Sequence, residues 1–131
     1  MTISDVLSGS QVWTVVHGVV PDAMADIPDG SIDAIVSDPI YPEIDRHYGR
    51  ISEADWHVLM RGVVAESRRV LKPRGSAVFI LQPNSERVGR MRPWLWEFMA
   101  WTTCEWNMVQ DAWWWNYAAL PVGGANSHGL M

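Results

Sequence analysis

The sequence predicts an α/β fold with a doubly wound sheet. Three observations carry this. Two short apolar runs, around residues 32–36 and 76–81, have the length and composition of buried parallel strands. A long amphipathic helical pattern begins at Ser52, between those runs. Strand-like and helix-like stretches alternate along the chain as βαβαβαβ, the order expected of a parallel sheet with helical crossovers.

Taken in order, residues 11–17 (QVWTVVH) form a β-rich apolar run and predict a first strand. Residues 22–27 predict a short helix, with Pro21 near its start and Pro28-Asp29-Gly30 as the turn after it. Residues 32–37 are the central strand, which ends at Asp38-Pro39 because Pro39 has no N–H for a ladder. Residues 42–50 are polar and irregular.

Ser52-Glu53-Ala54-Asp55 reads as a capping box opening the main helix, with Asp55 in the role usually given to Glu. Trp56, Leu59, Met60, Val63, Val64, Val70 and Leu71 form its core-facing stripe, and Ser67 fills the intervening turn. Lys72-Pro73-Arg74-Gly75 stops that helix, and residues 76–81 (SAVFIL) form the next strand. Residues 82–92 read as a polar, basic loop. Pro93 opens a helix to about Trp101, and residues 107–115 predict a further strand.

At 131 residues the chain has the length of one domain, 1–131. No apolar run reaches the ~18 residues of a membrane span. The first ten residues lack a basic region followed by an apolar core, so no signal peptide is expected. Cys104 is the only cysteine, which excludes an internal disulfide and a cysteine-rich zinc site and suits a reducing cytoplasm. We expect it to be buried and inert. The net charge of −5 opposes tight DNA binding, but its distribution is uneven. All ten Lys and Arg lie between Arg46 and Arg92, with only four acids among them. A basic face and an ordinary solvated surface are both compatible with that pattern.

The chemistry concentrates after the central strand, in Asp38-Pro39-Ile40-Tyr41-Pro42. In open α/β sheets, ligands bind at the carboxyl ends of the strands. An acid, an aromatic and two prolines crowd that position here.

Asp38-Pro39-Ile40-Tyr41 resembles the D-P-P-Y signature of the DNA amino-methyltransferases, which methylate adenine N6 or cytosine N4. The surrounding order is also similar. His17-Gly18-Val19 and Ile27-Pro28-Asp29-Gly30-Ser31-Ile32-Asp33 precede the signature. Val70-Leu71-Lys72-Pro73-Arg74-Gly75 follows, like the L-K-P-G-G corner of many S-adenosylmethionine-dependent methyltransferases. The resemblance spans about Val12 to Trp115. It implies a Rossmann-like methyltransferase sheet and methyl transfer from S-adenosylmethionine to an exocyclic amine.

By the resemblance, Asp38 and the Pro39 carbonyl accept the amine protons and aim its lone pair. Tyr41 stacks on a base flipped out of the duplex, and Ile40 and Pro42 complete the substrate pocket. Gly18, Val19 and Asp38 would lie beside the cofactor. Arg46, Arg50, Arg87, Arg90 and Arg92 are the candidate DNA contacts. No metal is implied: Glu43, Asp45 and His47 fall on a coil.

Three departures qualify the match. Ile40 replaces the second proline, which would have fixed the residue before it in extended geometry. Val19 stands where relatives often carry an acid. The F-x-G-x-G cofactor loop is missing, so the sheet is expected to be incomplete in this chain. The expected partners are DNA, and either a second copy or a second chain carrying the cofactor loop. The alternative is an inactive remnant that binds nucleic acid or a subunit. Trp113, Trp114 and Trp115 belong to a tryptophan-rich last third, read as core and interface rather than chemistry.

Overall fold

The computed structural model describes residues 2–112. It divides into two compact units, Met1–Ile80 and Leu81–Met131. The architecture is mixed α/β with a small parallel sheet.

In the first unit, α1 (Ile3–Leu7) is closed by a capping box between Thr2 and Asp5. Residues 11–17, expected as a strand, are not one. They run as exposed coil, with Val12 93% and Val15 80% exposed. Strand propensity is realised only when a neighbour supplies a ladder and a packing face, and no described strand pairs with this segment. The expected helix at 22–27 shrinks to one 3₁₀ turn, Asp22–Met24.

β1 (Ile32–Ser37) has the bounds expected from its sequence, but among the described residues it is one of two strands in its sheet and not a central one. α2 (Glu53–Val70) starts at Ser52, whose hydroxyl accepts the Asp55 N–H at 3.1 Å. The cap differs from a full box. The Asp55 carboxylate takes the Ser52 hydroxyl at 2.7 Å instead of a backbone N–H. Trp56, Met60, Val63, Val64, Ser67 and Val70 are buried along one stripe, while Leu59 is only half-buried. Each large aliphatic side chain so buried contributes roughly 1.5–3 kcal/mol.

β2 (Leu71–Phe79) pairs in parallel with β1: Ile32 faces Leu71, and Ala34 to Ser37 face Ser76 to Phe79. The strand therefore starts earlier than residue 76, and the Lys72–Gly75 corner bulges out of the ladder. Gly75 is required there. A Cβ on it would sit 2.9 Å from Leu71 Cδ2 and 3.0 Å from the Asp33 carbonyl. Burial alternates along the pair. Ile35, Ser37, Ala77 and Phe79 are half-buried, while Ala34, Val36, Ser76 and Val78 are exposed. A parallel sheet is ordinarily covered on both faces; this one leaves an apolar face open. Arg69 ties the end of α2 to the chain before β1. It donates to the Met24 and Ile27 carbonyls and pairs with Asp29 and Glu66.

In the second unit, the basic stretch read as a loop holds a hairpin, β3 (Ser85–Arg87) and β4 (Arg90–Met91). Gly89 turns it with a φ of +77°. α3 (Trp94–Thr102) follows Pro93 as expected, burying Trp94 and Phe98. Trp94 Nε1 donates to Asn84 Oδ1 at 2.7 Å. Residues 107–112 are exposed coil, and the rest of the strand expected there, with Trp113, Trp114 and Trp115, lies outside the described residues. Cys104 is exposed, not buried. Among the described residues no helix is long and apolar enough to cross a membrane.

Candidate functional site

β1 delivers the site. Its ladder continues one step past the strand, with the Ile80 N–H donating to the Ser37 carbonyl at 2.8 Å. Asp38 is the next residue, and the chain turns away over Pro39 and Ile40. The Tyr41 hydroxyl returns to the strand end, donating to Asp38 Oδ1 at 2.7 Å with the Ile80 carbonyl 3.3 Å away. Burial, then the hydrogen bond to Asp38 and its charge, push the Tyr41 pKa up to about 12; Arg46 acts in the opposite direction.

Two contacts to α2 fix this turn. Trp56 Nε1, on a fully buried ring in the first turn of the helix, donates to the Ile40 carbonyl at 2.6 Å. The Glu43 carboxylate accepts the Glu53 N–H, at the start of α2, at 3.2 Å. Pro42 lies fully buried between them in sequence. The missing second proline is thus accompanied by another restraint: the peptide after Ile40 is held through its carbonyl by Trp56. Nothing among the described residues donates to the Pro39 carbonyl.

The loop then doubles back. The Arg46 and Gly49 N–H groups each donate to the other's carbonyl, at 3.3 and 2.9 Å. His47 and Tyr48 pack edge to face with centroids 4.9 Å apart. Asp38, Pro39, Ile40, Tyr41, Arg46, His47 and Tyr48 line an open cleft of about 610 Å³. The cleft offers a carboxylate, the Pro39 carbonyl, two phenol rings, an imidazole and a guanidinium. Such a set can grip a flat polar ring by its edge and face, with a cation near its rim.

The structure therefore gathers Asp38, Pro39, Ile40, Tyr41 and Arg46 at one cleft. Pro42 supports them from below the surface. Arg50 is turned to Glu43 and stands 3.6 Å from Asp45, so its pKa is raised by that hydrogen bond and charge. Arg87, Arg90 and Arg92 belong to the second unit. Arg87 is exposed, Arg90 pairs with Glu86 at 2.9 Å, and the Arg92 N–H donates to the Asn84 carbonyl.

Gly18 and Val19 do not line the cleft. A Cβ on Gly18 would lie 3.0 Å from Ala23 Cβ, so its small size serves packing. Val19 is exposed and offers a carbonyl already taken by Ala23.

Two contributors are not legible in the sequence. Trp56 was legible only as core, because the Ile40 carbonyl lies 16 residues before it. Glu43 stands in sequence only as a carboxylate on a coil, yet it joins the loop to α2. Compared with family models, curated proteins and solved structures, the chain finds no match.

Proposed function

We propose that this chain is the base-holding part of an S-adenosylmethionine-dependent DNA amino-methyltransferase, built on an incomplete Rossmann-like sheet. The observation that carries the reading is the unit at the end of β1: the Asp38 carboxylate, the Pro39 carbonyl, which has no donor among the described residues, and the Tyr41 ring line one cleft. An exocyclic amine on adenine or cytosine is a weak nucleophile because its lone pair is delocalised into the ring. Acceptors on its two protons turn the lone pair outward. Asp38 and Pro39 are the pair for this role, and Tyr41 and Tyr48 are the rings for the flipped base. Base–aromatic stacking is worth roughly 1–3 kcal/mol.

S-adenosylmethionine would supply the methyl group, and its binding residues belong to another segment or chain. The open apolar face at Val36 and Val78 supports a second copy or a partner chain. A second reading, a nucleic-acid-binding remnant without turnover, is favoured by one observation. One of the two Asp38 carboxylate oxygens is already taken by Tyr41.

The test is a duplex carrying 2-aminopurine, whose fluorescence rises when the base leaves the stack. The proposal expects a rise on adding the full chain, weakened in Tyr41→Ala. No rise for any placement of the probe would refute it.

A further inference from the structure

We infer that Glu43 and Arg50 form a latch that holds the loop between residues 43 and 51 closed as the outer wall of the cleft. Arg50 is then a positioning residue and not a phosphate contact. The inference deepens the base-holding reading and rests on it for what the wall would clasp.

The loop is tied at its base from both sides. One Glu43 carboxylate oxygen accepts from Arg50 Nε at 2.9 Å and from Arg50 Nη2. The other accepts the Glu53 N–H at 3.2 Å. The Glu43 N–H donates to the Ile51 carbonyl at 2.8 Å. Glu43 is therefore bonded to Arg50, Ile51 and Glu53 in succession. It does so at a φ of +61°, in the left-handed region that non-glycine side chains rarely adopt. Its side chain is only 18% exposed, against 46% for Arg50. At the tip, Arg46 and Gly49 close the turn on each other, and Gly49 supplies a φ of +103°.

The residues between base and tip divide by role. Arg46, His47 and Tyr48 line the cleft, whereas Glu43 and Arg50 do not. Among the described residues the Arg46 guanidinium has no ion-pair partner. Arg46 is thus the cation left for a ligand, and the Glu43–Arg50 pair aims it. A phosphate drawn to Arg50 would have to break the latch.

The two roles of Arg50 make opposite predictions. If Arg50 met a phosphate, Glu43→Gln would release it and tighten DNA binding. If it latches the wall, Glu43→Gln and Arg50→Gln both weaken binding. The experiment titrates fluorescein-labelled single-stranded oligodeoxyadenylate into the full chain, into each variant and into the double variant, followed by anisotropy at several salt concentrations. The latch predicts a loss of up to about fivefold in each single variant and little further loss in the double, because the two side chains share one interaction. The salt slope in Arg50→Gln should match the unaltered chain, whereas loss of a phosphate contact would reduce it by about 0.7 on this single strand.

Amide exchange at Arg46, Gly49 and Glu53 gives a second readout, independent of any ligand. The latch expects faster exchange in both single variants as the loop opens. Tighter binding in Glu43→Gln, or unchanged exchange in both variants, would overturn it. If the unaltered chain binds no oligonucleotide, the base-holding reading fails, and the exchange rates alone still decide the latch.

Discussion

The Tyr41 hydroxyl donates to Asp38 Oδ1 at 2.7 Å, joining the aromatic and the acid at the end of β1 into one hydrogen-bonded unit. The phenol then resists ionisation, first because burial disfavours its charged form and then because deprotonating it would break this bond and place two negative charges side by side. Its pKa rises from an ordinary 10 to about 12. A raised folded pKa means that the contribution is fully present below pH 10 and is lost as pH rises through about 12. Ultraviolet titration of the tyrosines should show one late phase, absent in Tyr41→Phe. If all tyrosines of the unaltered chain ionise together near pH 10, the bond is not made in solution.

Trp56 fixes the same turn from beneath. Trp56→Phe keeps an aromatic ring in the core but removes the donor to the Ile40 carbonyl. Leaving that acceptor unpaired, together with the smaller ring, should lower unfolding free energy by about 1–3 kcal/mol in urea. Ile40→Pro tests the turn from the other side. It preserves the carbonyl, and the Ile40 N–H has no partner among the described residues. Its urea midpoint should stay near that of the unaltered chain. A large drop would show that the turn cannot accept the second proline.

How much of this was legible depends on the range of the interaction. β1 and α2 are written in local pattern: a short apolar run before Asp-Pro, and a capped stripe from Ser52. Asp38, Pro39, Ile40 and Tyr41 follow one another in sequence, so their gathering was legible too. Glu43 was not, because its meaning depends on Arg50 and Glu53 folding back onto it. The strand expected at residues 11–17 failed for a related reason. Val12, Trp13, Val15 and Val16 have strand-forming side chains, but no described strand meets them. The β3–β4 hairpin was hidden by its arginines, which carry no alternating apolar signal.

Gly75 and Gly30 separate two reasons for glycine. Gly75→Ala drives a methyl group against Leu71 and the Asp33 carbonyl and should destabilise by about 1–3 kcal/mol, as overpacking does. Gly30 has open space around its Cβ position but a φ of +61°, so Gly30→Ala should cost about 1 kcal/mol through backbone strain alone. Chemical denaturation of both variants checks the order. Equal stability in Gly75→Ala would contradict the tight corner.

Arg69 is held by its fork. Both terminal nitrogens are used, toward Met24, Ile27, Asp29 and Glu66. A lysine has the charge but not the geometry. Arg69→Lys should therefore lower the urea midpoint nearly as far as Arg69→Met, while Arg74→Met at the exposed corner should barely move it. Full rescue by lysine would show that charge alone matters.

The open sheet face makes a concentration-dependent prediction. Val36 and Val78 are paired across β1 and β2, and are 72% and 53% exposed. Such a face, with strand edges beside it that no described strand pairs, favours association. Sedimentation should show species larger than one chain as concentration rises, reduced in Val78→Lys. A monomer at all concentrations would leave the face without a second copy as its cover.

The central claim is that the cleft holds a base by its exocyclic amine. The most direct measurement is calorimetric titration of the full chain and of Asp38→Ala with the monophosphates of deoxyadenosine, deoxycytidine and thymidine. The account predicts that deoxyadenosine or deoxycytidine monophosphate binds more tightly than thymidine monophosphate, which has no exocyclic amine, and that Asp38→Ala erases the difference. Equal affinity for all three in the unaltered chain, or an undiminished preference in Asp38→Ala, would contradict it.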